Sequence, residues 1–86
     1  MKLKKQYIPH DTADESLLVP TADAPFSGVV RGNKTLGVIL SYLKEDTTEE
    51  EIIAAMTARF DAPEEVIARD VRKAIEELRK VGALEE

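Results

Sequence analysis

The chain has 86 residues, room for one compact domain, and carries 12 basic against 17 acidic residues for a formal charge of −5. Its 43% hydrophobic content suits a folded domain rather than a disordered tail, while the lack of cysteine and a single histidine, His10, exclude disulfides, thiolate metal sites, cysteine catalysis and multi-histidine clusters. No apolar run is long enough to cross a bilayer, and the basic start lacks the apolar stretch of a secretory signal, so the expected location is the cytoplasm.

Residues 1–32 hold three of the four prolines and balance four basic with four acidic residues; residues 33–86 hold eight basic and thirteen acidic, so the net −5 lies in the second part. The first part is expected to form short strands joined by turns. Residues 3–10 contain Tyr7-Ile8 and are expected to stop at Pro9, which has no N–H to give to a ladder. Residues 16–20 form an aliphatic run bounded by the turn-like Asp11-Thr12-Ala13-Asp14 and by Pro20. A third extended segment, residues 26–31, follows Pro25 and ends at Gly32-Asn33. The short connections favour antiparallel neighbours.

The second part carries helical periodicity. Asn33 is a good N-cap, followed at helical spacing by Leu36, Ile39, Leu40 and Leu43. Thr48 and Glu51 have the spacing of a capping box, and Ile52, Ile53, Met56 and Phe60 form the apolar stripe behind it. Asp61-Ala62-Pro63 restarts the chain for a third helix whose core face is Ile67, Val71, Ala74, Ile75, Leu78 and Val81. Gly82 is placed to end that helix with a left-handed cap, after which Ala83-Leu84 can fold back as an apolar latch. The expected fold is α+β and winged helix-turn-helix-like, with a three-stranded antiparallel sheet packed on three helices. Neither part can bury a core alone, so residues 1–86 are expected to act as a single domain.

Few residues suggest catalysis. Ser16, Ser27 and Ser41 would need a base, and His10 sits beside Pro9 in what reads as a turn. The runs Glu49-Glu50-Glu51 and Glu64-Glu65 fall in helix first turns, where negative charge opposes the dipole, a simpler reading than an acid–base pair. The stretch from Gly28 to Thr35 lacks the spacing of a nucleotide-binding loop. Duplex binding calls for a basic face. On the third helix Arg69, Arg72, Lys73, Arg79 and Lys80 are interleaved with Glu64, Glu65, Asp70, Glu76 and Glu77, and the second helix opens on three glutamates. No enzyme activity, cofactor, metal, nucleic acid or membrane partner is therefore expected. A winged-helix transcriptional regulator and a protein–protein adaptor remain as alternatives to a binding module.

The order of elements has a closer parallel. Tyr7-Ile8, Leu17-Leu18-Val19-Pro20, Phe26-Ser27-Gly28-Val29-Val30, Asn33 with Thr35, and Ile39-Leu40 with Leu43 come first. Glu45 through Ile52, Asp70-Val71, Ile75, Leu78 and Gly82-Ala83-Leu84 follow. Together, over about 80 residues, these resemble the PqqD-like family of small peptide-recognition domains. Two departures stand out: Gly32 occupies a place where the family usually has an aliphatic residue, and Leu36-Gly37 replaces a more usual small pair. Leu40 also stands where an aromatic is frequent.

The resemblance implies a protein that binds the leader segment of a ribosomally synthesised precursor peptide by β-strand addition and presents it to a modifying enzyme, in the family a radical S-adenosylmethionine enzyme. It implies a groove between the third strand and the third helix. The candidate peptide-binding residues are Phe26, Gly28, Val29, Val30 and Arg31 on the strand, and Val66, Asp70, Lys73, Ala74 and Glu77 on the helix. An edge strand leaves backbone groups free for a guest. Gly28 fits either close approach of that guest or a bulge. The helix flank fits either a groove wall or a solvated face, and the opposite flank, with Ala68, Arg72 and Arg79, competes for the same place beside the sheet. An edge that accepts a peptide can also accept a second copy of the chain in a strand-exchanged homodimer.

Overall fold

The computed structural model describes residues 1–24 and 28–86. Along the chain these form β1 (Lys2–Leu3), β2 (Tyr7–Asp11), β3 (Ser16–Pro20), β4 (Val30–Gly32), α1 (Lys34–Tyr42), α2 (Glu49–Arg59), α3 (Glu64–Lys80) and β5 (Leu84–Glu85). Strands β2, β3 and β4 make an antiparallel sheet in that order, and β1 pairs with β5 in a separate two-stranded one. The fold is α+β, with three helices packed on the three-stranded sheet, as the sequence predicts.

The expected strand over residues 3–10 is instead two strands. A turn through Lys4, Lys5 and Gln6, closed by the Tyr7 N–H donating to Lys4 O at 3.1 Å, separates β1 from β2. The chain also does not stop at Pro9. The Thr21 N–H donates to Gln6 O at 2.7 Å, and the Thr12 N–H to Glu15 O at 2.9 Å. Each of these continues the β2–β3 register by one pair beyond the ends of the two strands. Hydrogen-bonded and non-hydrogen-bonded pairs alternate in an antiparallel ladder, so Ile8–Val19 and His10–Leu17 are the bonded pairs. Tyr7–Pro20, Pro9–Leu18 and Asp11–Ser16 are not. Pro9 therefore sits inside an edge strand where its missing N–H removes no ladder bond.

The same parity fixes the other side of β3. The backbone groups of Leu17 and Val19 point to β2, so those of Ser16 and Leu18 point to β4. Ser16–Gly32 and Leu18–Val30 are then the bonded pairs, with Leu17–Arg31 between them. The next bonded pair in this register would match Pro20 with Gly28, and Pro20 has no N–H to donate. This is why β4 begins only at Val30, later than the expected residues 26–31, and why Gly28 and Val29 precede the strand. Gly32, expected to terminate the strand, is its last paired residue. Phe26 and Ser27 lie outside the described residues.

The helix ends follow local chemistry. Asn33 caps α1 by accepting the Leu36 N–H at 3.2 Å. Thr48 caps α2 by accepting the Glu51 N–H at 3.1 Å. Only half of the expected capping box forms, because the Glu51 carboxylate accepts from Thr47 Oγ1 at 3.1 Å instead of from the Thr48 backbone. At the end of α3, the Gly82 N–H donates to Arg79 O at 3.0 Å and the Ala83 N–H to Leu78 O at 2.9 Å. Gly82 has φ 72°, the left-handed cap that glycine supports. The chain then turns back, and Ala83 and Leu84 are buried, the latter in β5 opposite Leu3. Arg79 grips the Glu86 carboxylate through both Nε and Nη2, which holds that carboxyl below its usual range.

One apolar core joins the layers: Tyr7 and Leu18 from the sheet, Leu36, Ile39, Leu40 and Leu43 from the α1 region, Ile52, Ile53 and Met56 from α2, and Ile67, Val71, Ile75 and Leu78 from α3. The Tyr7 hydroxyl donates to Val81 O at 2.9 Å, tying the start of the sheet to the end of α3. Phe60 departs from its expected place in the α2 stripe. It caps the helix in an extended conformation, is 39% exposed, and lies beneath the Arg59 guanidinium at 5.4 Å.

Candidate functional site

A three-stranded sheet has two edges, and the sequence treats them differently. On the outer side of β2 the outward backbone positions are Tyr7, Pro9 and Asp11. The Tyr7 N–H is already used by Lys4 O, and Pro9 has none, so this edge is blunted. On β4, Val30 and Gly32 spend their backbone groups on β3, and Arg31 turns its N–H and C=O outward. No other described backbone group bonds to Arg31. Arg31 is thus an open rung at the free side of the sheet.

That open side faces a cleft of about 300 Å3. One wall is β4 with the capping residue Asn33, the floor is Leu36 and Ile39, and the far wall is Asp70, Lys73, Ala74 and Glu77 of α3. A second, smaller cavity of about 170 Å3 is lined by Met56, Phe60, Ala62, Val66 and Ile67. Thr35 and Asp70 line both, so the two form one trough along α3 with an apolar end and a charged end.

Of the residues singled out from the sequence, Val30, Arg31, Asp70, Lys73, Ala74 and Glu77 come together around the larger cleft. Val66 lies in the apolar cavity at the other end of the trough. Gly28 and Val29 sit just before β4, with Val29 49% exposed. Phe26 is outside the described residues. The competing helix flank faces elsewhere: Ala68 is buried, Arg72 pairs with Glu49 of α2 at 3.6 Å, and Arg79 holds Glu86. The trough also uses residues that the sequence reading did not place in the site, among them Thr35, Leu36 and Phe60. The exposed Phe60 could have been suspected, since the Asp61-Ala62-Pro63 break directly after it leaves no helix to bury it.

The charges in the cleft are unevenly satisfied. Glu77 pairs with Lys80 at 3.5 Å, and Asp70 has Arg69 at 4.0 Å. Lys73 and Arg31 enter no ion pair among the described residues. Among these residues no group of histidine, aspartate and glutamate could hold a metal, and no helix is long and apolar enough to cross a membrane. What the arrangement offers is backbone hydrogen bonding along an edge and side-chain sorting in the trough beside it.

An open edge strand running beside the last helix of a three-helix layer is an arrangement that an extended segment can join by strand addition. The chain belongs to the PqqD family: the sequence pattern of Coenzyme PQQ synthesis protein D (PqqD) matches residues 15–84. Among solved structures, the fold is similar to a chain of TbiB1 in complex with the TbiA(beta) leader peptide. The two are 24% identical, with a TM-score of 0.77 over 99% of this chain and 95% of that one. No curated protein sequence matches the chain.

Proposed function

We propose that the chain binds the leader segment of a ribosomally synthesised precursor peptide and presents the remainder to a modifying enzyme. The carrying observation is the open Arg31 rung of β4 facing the trough on α3. A guest strand would pair with the backbone of Arg31 and, by alternation, with its extended neighbours, while every second guest side chain enters the trough. Val30, Arg31, Asp70, Lys73, Ala74, Glu77 and Val66 form the binding surface, with Gly28 and Val29 at its entry. Membership of the PqqD family, and the leader peptide in the similar TbiB1 structure, support this reading.

The role is non-catalytic and the whole chain acts as one recognition unit. By family resemblance the enzyme served is a radical S-adenosylmethionine enzyme. Ladder bonds return about 0.5–1.5 kcal/mol each against about 1–2 kcal/mol for ordering each residue. Affinity must therefore come largely from side-chain anchors in the trough, and is expected to be about micromolar. Amide chemical-shift titration with a candidate leader peptide, the TbiA(beta) leader first, tests the proposal. The expected shifts lie in residues 28–33 and along the Val66–Glu77 face of α3; shifts confined to β2 or α2 would reject it. A second copy of the chain is the rival guest for the same edge, and would appear as self-association that the leader suppresses.

A further inference from the structure

Resting on the leader-binding reading, we propose that the guest carries a carboxylate at an even spacing from an apolar anchor. The apolar side chain sits in the Val66–Phe60 cavity and the carboxylate reaches Lys73. Both cavities open onto one trough, so both side chains belong to the same face of an extended segment. The apolar end is lined by Met56, Phe60, Ala62, Val66 and Ile67, with Phe60 39% exposed and its ring available to a guest.

The charged end contains cations and carboxylates, and their partners decide which sign of guest it takes. Glu77 is engaged by Lys80 and Asp70 has Arg69 nearby, whereas Lys73 has no partner among the described residues. A carboxylate entering here gains a free ammonium, while a cation would compete with pairs already formed. The net charge of −5 disfavours a polyanionic guest, so a single placed carboxylate fits better than an acidic run.

Spacing follows from geometry. Val66 and Lys73 are seven residues apart on α3, about 10 Å along its axis. Allowing for the reach of the Lys73 side chain, an extended strand covers that distance in about two to four residues. Side chains on one face of a strand recur every second residue, so the carboxylate falls two or four positions from the anchor and never one or three.

The test is selection of a displayed library of random peptides of about a dozen residues, long enough for several groove-facing positions. The library is panned on the full chain, on Lys73→Glu and on Lys73→Gln. Lys73 is exposed, so both variants keep the fold, which unchanged circular dichroism would verify. The expected result is enrichment of an apolar residue with Asp or Glu at even spacing on the parent chain. That acidic preference should be lost with Lys73→Gln and turned to Lys or Arg with Lys73→Glu. Replacing the selected carboxylate by its amide should weaken binding about two- to fivefold at low salt, with the difference fading at high salt. Enrichment of peptides without the acidic parity, or with a cation at that position, overturns this inference and leaves leader binding standing. Failure to enrich any peptide overturns both.

Discussion

Gly32 and Leu36 read as exchanged partners. In the PqqD-like pattern an aliphatic residue stands at the place of Gly32, and a small pair at that of Leu36-Gly37. Here a Cβ placed on Gly32 would lie 2.6 Å from Leu36 Cδ2, 2.9 Å from its Cβ and 3.3 Å from its Cγ. The Leu36 side chain thus fills the volume that a side chain at position 32 would take. The Leu36 Cβ is fixed to the α1 backbone, so Gly32→Val must move the helix or the strand and is expected to cost about 1–3 kcal/mol. Up to about 1 kcal/mol of strand propensity offsets part of this. Leu36→Ala should cost about 2–3 kcal/mol, the lower part of the range for core leucines, because Leu36 borders the open cleft and the cavity can fill with water. In the double variant the valine methyls re-enter the space vacated beyond the Cβ of position 36, while the 2.9 Å approach of the two Cβ atoms remains, so only part of the combined loss should be recovered, a coupling of about 1 kcal/mol or more. Urea unfolding followed by far-ultraviolet circular dichroism on the four chains measures the cycle. Additive losses would refute the exchange, and would mean that Leu36 is placed by α1 alone.

Three further outcomes are expected. Arg31→Pro removes the outward N–H of the open rung without touching a β3–β4 bond, so leader binding measured by calorimetry should fall at least tenfold while the melting temperature shifts little; retained binding would mean that the guest does not pair at Arg31. Pro9→Thr restores an N–H to the blunted edge, and sedimentation velocity should then show concentration-dependent self-association, whereas a chain that stays monomeric would show that Pro9 does not guard that edge. Gly37→Ala places a methyl against the buried Ser16 hydroxyl, which donates to Asp11 Oδ1 at 2.8 Å, and within 3.1 Å of that carboxylate oxygen. About 1 kcal/mol gained in helix propensity should be outweighed by about 1–3 kcal/mol from displacing the buried hydroxyl, giving a net loss in thermal stability that Ser16→Ala in the same chain partly relieves.

The helices were legible because their signals are local. Asn33, Thr48 and Gly82 act within a few residues of themselves, and the stripes through Ile39, Ile52 and Val71 repeat at one period. The sheet was harder because its limits depend on pairing. Pro9 looks like a terminator until the register shows it at a non-bonded position, and residues 26–31 look like a longer strand until Pro20 is seen opposite Gly28. The β1–β5 pair joins residues 2–3 to residues 84–85, a contact that no local window contains. Half of the capping box failed for a similar reason, since Thr47 offered the Glu51 carboxylate a hydroxyl that the spacing rule does not consider. Within the site, sequence periodicity grouped Val66, Asp70, Lys73 and Glu77 on one flank. Tertiary contacts outside that periodicity distinguish the groove side from its rival: Arg72 pairs with Glu49 of α2, Ala68 is buried, and Arg79 holds Glu86.

Two prolines therefore shape where a guest can dock. Each lies at a position of β2 or β3 that makes no hydrogen bond across the β2–β3 pair, so both are compatible with that ladder and edit what lies beyond it. Pro9 presents its ring nitrogen to the outer side of β2, where together with the internally bonded Tyr7 N–H it leaves Asp11 as the last free outward donor on that edge. Pro20 presents its nitrogen toward β4 and ends the internal ladder at Leu18–Val30. The β4 edge is left with Arg31 open beside the trough, and an incoming strand meets backbone bonding and side-chain pockets together there alone among the described edges of the three-stranded sheet. On the proposed reading, edge choice would be set by backbone chemistry before any side chain of the guest is read, and the Val66–Lys73 trough would then discriminate among the segments that the edge admits.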